Sequence, residues 1–387
     1  MPAAEPDSPR SADAPAQPAI PMERRRLSLH DFLKAVIKVN GSDLHLQADS
    51  IPMIRVDGRA RFLDCPALSN EQVLEYIQTM VKDPDQWTAF QKRGAVDLSY
   101  AMADGSARFR VNCFHSRQKY ALVMRRIITR IPNFEELNLP SQVEALADHF
   151  RGLVVVSGTT GSGKTTTLAA LIGKINRTRS ERIISIEDPI EYQHENIKSL
   201  VSQVEVGTDA ESYDYALREV LRQDPDTILI GEIRDTFSLT TALRAADTGH
   251  LVFTTVHATN AAMTIERMVS LFDPAQKDLQ QAQLGMNLVG VCCQRLAKRR
   301  EGKGRVPAIE ILVSSPLVRK YILDGEYEKL KGSVGSRDSG SQSFDQHLAE
   351  LFQKQIIDVA EARRLASNPD ALNLVLRGIS NADARTR

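Results

Sequence analysis

A glycine-rich stretch centred on Lys164 has the residue types and spacing that bind phosphate. Its sequence, GTTGSGKT at residues 158–165, fits the pattern GxxxxGK[ST] and lies between the apolar run 153–156 and a predicted helix over 165–175. In such a strand–loop–helix, glycines let backbone N–H groups wrap a β-phosphate, and the helix N-terminus adds positive potential. The setting therefore predicts a P-loop rather than a fortuitous glycine-rich turn.

The predicted P-loop assigns ligands for ATP and Mg²⁺. Lys164 is expected to bridge the β- and γ-phosphates, and the Thr165 hydroxyl is expected to bind Mg²⁺. The sequence has no NKxD motif, so nothing in it indicates a guanine nucleotide. The residues predicted to bind the nucleotide are Thr159, Thr160, Gly161, Ser162, Gly163, Lys164, Thr165 and Thr166.

Two acidic segments could supply the carboxylates that ATP hydrolysis needs, one near the metal and one to orient or deprotonate water. Glu232 follows the apolar run 228–230 in a Walker B position, with Glu in place of the usual Asp, and Glu191 follows the run 183–186. Ligands bind at the carboxyl ends of parallel strands, so both segments are expected to face the phosphate loop. For each glutamate the alternative is a helix cap or a loop salt bridge.

His257 lies at the carboxyl end of a third apolar run, residues 251–256. From there it could hydrogen-bond the γ-phosphate or a catalytic carboxylate. From the pattern alone, a structural histidine is the favoured interpretation.

The elements around these residues predict an α/β fold with an added domain on each side. Short, fully apolar strands alternate with helices after residue 150, which indicates a parallel sheet covered on both faces. Before it, a predicted helix over 70–81 and strands near 95–103, 106–114 and 119–128 indicate a small α+β domain. A capping box of Ser343 and Gln346 opens a helical C-terminal region. The predicted divisions are a disordered tail at 1–26, an α+β domain at 27–128, a linker at 129–140, an ATPase core at 141–313 and helices at 314–387.

The composition limits the possible partners. The 387 residues carry no formal net charge, which argues against nucleic acid as the main partner. The chain has no apolar run of about 18–20 residues and no apolar signal core, so we expect a cytoplasmic protein. Its four cysteines form no CxxC pair, which favours reduced thiols over a zinc ribbon.

Four long motifs occur in the order typical of the secretion-type traffic ATPases of type II secretion and type IV pili. They are GTTGSGKTTT at 158–167, SIEDPIEYQH at 185–194, DPDTILIGEIRD at 224–235 and TGHLVFTTVHAT at 248–259. From residue 27 onward the chain most resembles the PilT/PilU group of type IV pilus retraction ATPases, with GSDLHL at 41–46 and RVPAIE at 305–310 as further matches. This resemblance implies a RecA-like P-loop core and a PAS-like N-terminal domain.

The resemblance also implies roles for individual residues. Glu191 matches the glutamate that acts as general base, Glu232 matches the one that helps to hold Mg²⁺ and the water, and His257 is expected to sense the γ-phosphate. Arg110 and Arg125 match arginines that complete the site from the N-terminal domain. Without the resemblance, these two would be ordinary exposed strand arginines. Arg267 is a weaker interface candidate.

At the level of the whole protein, the resemblance implies a homo-hexameric motor that hydrolyses ATP to power type IV pilus retraction and twitching motility. The implied partners are an inner-membrane pilus platform protein and a paralogous retraction ATPase, with no nucleic acid, at the cytoplasmic face of the inner membrane. The alternatives are a pilus assembly or type II secretion ATPase, a hexameric nucleic-acid translocase, and a catalytically weak ATP-binding regulator of a partner motor.

Overall fold

The computed structural model describes residues 20–22, 26–56, 58–127, 130–301, 304–336 and 340–376. The chain divides into two compact units after Ile128. Most of the predicted tail, residues 1–26, lies outside the described residues. The two residues Ile20 and Pro21 differ from that prediction, because they form a short strand in which Ile20 is buried.

The first unit is an α+β domain, as predicted. In the described residues its seven-stranded sheet has the order β1-β4-β3-β2-β7-β6-β5; β1 is parallel to β4 and the other pairs are antiparallel. The elements are β1 Ile20–Pro21, α1 Leu29–Lys38, β2 Asp43–Gln47, β3 Met53–Val56, β4 Arg59–Asp64, α2 Asn70–Met80, α3 Pro84–Arg93, β5 Ala95–Ala101, β6 Arg108–Ser116 and β7 Lys119–Ile127.

Local signals in the sequence account for the helix ends of this unit. Ser28 and Asp31 form a capping box at the start of α1, and Ser69 and Gln72 form another at the start of α2. Each box satisfies backbone N–H groups that have no partner inside the helix. The apolar face of α1 then packs into the core, where Phe32 is completely buried.

The second unit is built on a mostly parallel sheet. In the described residues its strand order is β10-β9-β11-β12-β8-β13-β14, in which only β14 runs antiparallel to its neighbour. The strands are β8 Gly152–Ser157, β9 Arg182–Glu187, β10 Leu200–Glu205, β11 Thr227–Ile230, β12 Leu251–Val256, β13 Leu288–Lys298 and β14 Arg305–Val313. The predicted α/β fold class is therefore confirmed.

Helices cover this sheet and form the C-terminal region. They are α4 Phe134–Leu137, α5 Ser141–Ala145 with a 3-10 turn at Leu146–Asp148, α6 Lys164–Thr178, α7 Tyr213–Val220, α8 Thr236–Asp247, α9 Ala261–Ser270, α10 Lys277–Asn287, α11 Pro316–Leu323, α12 Tyr327–Val334, α13 Phe344–Gln353, α14 Val359–Leu365 and α15 Pro369–Leu376. Among the described helices, none combines the length and the apolar character needed to cross a bilayer.

Part of the predicted linker at 129–140 is structured. Asn133 caps α4 through a capping box with Glu136, and the apolar side chains of Phe134 and Leu139 are buried in the core of the second unit. Pro132 and Pro140 predict a linker, but the burial of Phe134 and Leu139 makes this stretch part of the core.

A buried histidine ties the C-terminal helices to the sheet. His347 on α13 is 4% exposed, and its Nδ1 accepts a hydrogen bond of 2.9 Å from the backbone N–H of Ile309 on β14. Burial, with a smaller contribution from Lys354, lowers the pKa of His347 to about 4. The folded unit therefore holds this imidazole neutral.

Because the folded-state pKa of His347 lies below its unfolded value of about 6.5, the unfolded chain binds the proton first as the pH falls. Stability from this group is complete above about pH 6.5 and is lost between pH 6.5 and 4, with a loss on the order of 2 kcal/mol by pH 5. His347→Asn retains an acceptor near Nδ1 and is expected to flatten this dependence. Urea unfolding at several pH values measures it, with the exposed His149→Asn as control. Identical slopes in the wild type and His347→Asn would contradict the assignment.

Candidate functional site

The phosphate loop connects the carboxyl end of β8 to α6, and its glycines are required by its shape. Gly158 has φ +152°, and a Cβ there would lie 2.4 Å from Ser162 Oγ and 2.6 Å from the Gln294 carbonyl oxygen. Gly163 forms the N-cap of α6 at φ +88°. A side chain at Gly158 would collide with Ser162 and Gln294, and one at Gly163 would be strained by the positive φ. The glycines therefore allow the loop a shape in which its backbone can approach a phosphate.

Two side chains of the loop are prepared for an anion. Lys164 Nζ donates hydrogen bonds of 3.1 Å to the carbonyl oxygens of Gly158 and Thr159. The Ser162 hydroxyl is buried and has no hydrogen-bond partner within the described chain. Buried hydroxyls are normally paired, so this one fits a site that is completed by a phosphate oxygen.

The sheet brings the predicted acids to the same place. Burial lowers the pKa of Lys164, and the carboxylates of Glu232 and Glu191 act in the opposite direction. Both glutamates therefore lie close enough to Lys164 to raise its pKa. This is expected for residues that follow the neighbouring parallel strands β9 and β11. Glu191 is exposed, whereas Glu232 is partly buried.

Glu232 is held at both its backbone and its carboxylate. The Tyr213 hydroxyl accepts from the Glu232 N–H and donates to its carbonyl, each at 3.1 Å. One carboxylate oxygen lies 3.1 Å from His257 Nε2, and the other accepts from Arg234 Nε at 3.0 Å. His257 thus contacts a carboxylate, which is one of the two contacts that the pattern allowed. Arg267 supports this histidine by donating to its carbonyl oxygen at 2.8 Å.

Glu187, the last residue of β9, has a different environment. Ser185 Oγ and Gln203 Nε2 donate to its Oε1 at 2.7 and 3.1 Å. Burial raises the pKa of Glu187, and these two hydrogen bonds oppose that effect. The Glu187 carboxyl group is therefore hydrogen-bonded to neighbouring side chains, while the Glu191 side chain is exposed to solvent.

Arg110 and Arg125 lie in the first unit, directly opposite each other on β6 and β7. Opposed residues of an antiparallel pair share one face of the sheet. Arg125 Nε donates to Asp43 Oδ1 at 2.8 Å, and the Arg125 side chain is 61% exposed. The two arginines therefore form one basic patch of this unit, and their role beside the phosphates stays a prediction.

Gln294 on β13 supports the phosphate loop, and sequence reasoning missed it. This residue is 2% exposed; its Nε2 donates to the Ser162 carbonyl at 2.6 Å and its Oε1 accepts from Thr167 Oγ1 at 2.9 Å. Gln294 and Tyr213 lie outside the four motifs, so no spacing pointed to them. Arg234 lies inside the third motif, where its position two residues after Glu232 is a signal for a partner of that carboxylate.

The chain is similar to known proteins over most of its length. A family model described as type II/IV secretion system protein matches residues 23–343. The type IV pilus retraction ATPase PilT of Pseudomonas aeruginosa is 40% identical over 345 residues, which are 89% of this chain and 99% of that protein. The type IV pilus ATPase PilU of the same organism is 37% identical over 359 residues, 92% of this chain and 94% of PilU.

A solved structure is also similar to this chain over most of its length. A crystal structure of the pilus retraction motor PilT with bound ADP matches with a TM-score of 0.81 and 37% identity. The match covers 89% of this chain and 98% of that one.

Gln294→Leu keeps the size of the side chain but removes its hydrogen bond to Ser162 in the phosphate loop and its hydrogen bond from Thr167 on α6. Leaving the buried Ser162 carbonyl without its partner costs about 1–3 kcal/mol, and we expect about a tenfold weaker affinity for ADP. Isothermal titration with ADP measures this change. Gln353→Leu, at an exposed position of α13, is the control. Equal ADP affinity in Gln294→Leu and the wild type would rule out this support of the loop.

Proposed function

The chain belongs to the type II/IV secretion system protein family, and we propose that it is an ATPase motor that powers the retraction of type IV pili. The observation that carries this proposal is a phosphate loop between β8 and α6, with Glu191 and Glu232 close enough to Lys164 to raise its pKa, in a chain that matches PilT along almost its full length. A P-loop with two carboxylates beside its lysine has the groups that phosphoryl transfer to water requires.

The phosphate loop binds ATP through its backbone and side chains. Residues 159–166 surround the phosphates, and the Lys164 ammonium leaves its two loop carbonyls to contact the β- and γ-phosphates. The Ser162 hydroxyl gains a partner at the same time. Because Gln294 holds the loop in shape before the nucleotide arrives, little reorganisation accompanies binding.

Glu191 acts as the general base. Its exposed carboxylate near Lys164 is free to accept a proton from the attacking water. Glu232 orients that water, and His257 reports the state of the γ-phosphate, because its Nε2 already contacts a Glu232 oxygen. An imidazole between a carboxylate and a phosphate can exchange one partner for the other when the phosphate leaves.

Thr165 and Glu232 would hold Mg²⁺ together with the phosphates. The described residues contain no group of three or more His, Cys, Asp and Glu side chains that could hold a metal without such help. Magnesium is commonly bound in this way, through one or two protein ligands and the substrate phosphates. When bound, the ion neutralises charge that develops on the phosphate oxygens.

The motor is proposed to be a homo-hexamer in which arginines of the N-terminal unit complete the ATP site. Arg110 and Arg125 form a basic patch whose fixed charges suit transferring phosphoryl oxygens. The ring would act on an inner-membrane platform protein, with a paralogous retraction ATPase as a second partner, at the cytoplasmic face of the inner membrane.

Glu191→Gln removes the base without changing the shape of the side chain. We expect kcat for ATP hydrolysis to fall by about 10²–10⁴-fold while ATP binding and the hexamer are retained. Steady-state ATPase assays with light scattering measure both properties. Glu195→Gln, an exposed glutamate in the same segment, is the matched control. Equal kcat in Glu191→Gln and the wild type would place the base elsewhere.

The wild-type protein in the same assay separates the alternatives. Turnover together with restored twitching in a retraction-deficient strain supports the retraction motor, whereas rescue of an assembly-deficient or secretion-deficient strain would replace it. Tight ATP binding without turnover in intact hexamers would favour a regulator of a partner motor. Turnover stimulated by nucleic acid would favour a translocase.

Arg110→Gln tests whether the first unit contributes to ATP hydrolysis. Arg110 is a cleaner target than Arg125, because removing Arg125 would leave the buried Asp43 carboxylate without its ion-pair partner. We expect a loss in kcat of about 100-fold or more, since an arginine that stabilises a transferring phosphoryl group contributes on that scale. Arg59→Gln, exposed on β4, is the control. Full turnover of Arg110→Gln in intact hexamers would contradict the proposal that Arg110 completes the ATP site.

A further inference from the structure

The segment between β9 and β10 carries Glu191 on a backbone that is fixed on both sides. The Ile190 N–H donates to Glu205 Oε2 at 3.2 Å. On the other side, the Tyr192 carbonyl accepts from Gln203 Nε2 and the His194 N–H donates to Gln203 Oε1, each at 2.8 Å. These contacts come from β10, so they attach the segment to the sheet edge but not to the phosphate loop.

One contact reaches the start of α6, directly after the phosphate loop. The Tyr192 side chain is 8% exposed, and its hydroxyl shares a hydrogen bond of 2.9 Å with Thr166 Oγ1 in the first turn of α6. Thr166 is two residues from Lys164, and Tyr192 is the next residue after Glu191. This hydrogen bond therefore connects the helix that follows the phosphate cradle to the residue beside the base.

We propose that Tyr192 is a positioning residue that locks the Glu191 segment to α6, so that the base keeps its place relative to the phosphate loop. This inference rests on the proposed function, in which Glu191 deprotonates the attacking water. Burial raises the pKa of the Tyr192 hydroxyl, which therefore stays protonated and keeps its hydrogen bond across the physiological pH range.

Positioning matters here because the Glu191 side chain itself is exposed. A base acts only within hydrogen-bond reach of the water, and displacement by about 1 Å can cost about 100-fold in rate. Gln203 fixes the backbone of the segment against β10, and farther along the segment Asn176 of α6 donates to the Glu195 carbonyl oxygen at 2.6 Å. The hydrogen bond between Tyr192 and Thr166 adds a contact at the first turn of α6, next to both the phosphate loop and the base.

The test is Tyr192→Phe in the full-length hexamer, which removes one oxygen and keeps the buried ring. We expect kcat to fall about tenfold while KM for ATP changes less than about twofold. Amide hydrogen exchange in residues 190–194, measured without nucleotide, is expected to become faster. Tyr215→Phe, at an exposed position of α7, is the matched control and is expected to change neither quantity.

Thr166→Val approaches the same hydrogen bond from its other end. In a double-mutant cycle, the loss in kcat from Tyr192→Phe is expected to disappear in the Thr166→Val background, because the pair is already broken there. Independent, additive losses would overturn the proposal. So would unchanged kcat and unchanged exchange in Tyr192→Phe, or a rise in KM with kcat retained.

The same experiment separates this inference from the proposed function. If the wild type hydrolyses ATP and Tyr192→Phe matches it in kcat and exchange, the positioning role fails and the ATPase stands. If the wild type shows no turnover, the proposed function fails and the catalytic part of this inference fails with it. Faster exchange in Tyr192→Phe would then still establish the hydrogen bond as a structural lock of the segment.

Discussion

The register of the parallel strands is the constraint on which the site depends. Within β9, β11, β12 and β8, pairs such as Ile230 with Ile186 and Val256 with Ser157 place the strand ends along one edge of the sheet. The chain leaves each strand there, so the phosphate loop and the segments that carry the acids and His257 emerge side by side. A shift of one residue in any strand would turn its side chains to the opposite face and move the loop that follows it.

In the nucleotide-free state, ion pairs and hydrogen bonds hold the charged side chains at this edge of the sheet. Glu232 is shared between His257 and Arg234, and Lys164 is satisfied by carbonyl oxygens of its own loop. Lys164, His257 and Arg234 each contact an oxygen atom that a phosphate oxygen can replace, so binding exchanges contacts instead of desolvating bare charges. Such an exchange costs less than burying an unpaired ion, which is the main penalty in a partly buried site.

Most of the fold followed from local sequence patterns, but the supports of the site did not. Apolar runs marked strands such as β11, capping residues such as Ser28 and Ser343 marked helix starts, and the four motifs marked the loops of the site. The contact of Gln294 with Ser162 joins residues that are 132 positions apart, and nothing in either neighbourhood encodes it. The ordered α4 was missed for a similar reason, because its stability comes from burial against a core that forms elsewhere.

The supports have a common design, in which a side chain from a neighbouring element fixes each loop of the site. Gln294 on β13 holds the phosphate loop, Tyr213 on α7 holds the backbone of Glu232, and Gln203 on β10 holds the segment of Glu191. A site that is held in this way is organised before its substrate binds, which reduces the reorganisation needed at the moment of reaction. It also means that the movement of a motor has to arise where such supports are lacking. We therefore expect the loops of this sheet edge to change little when ATP binds.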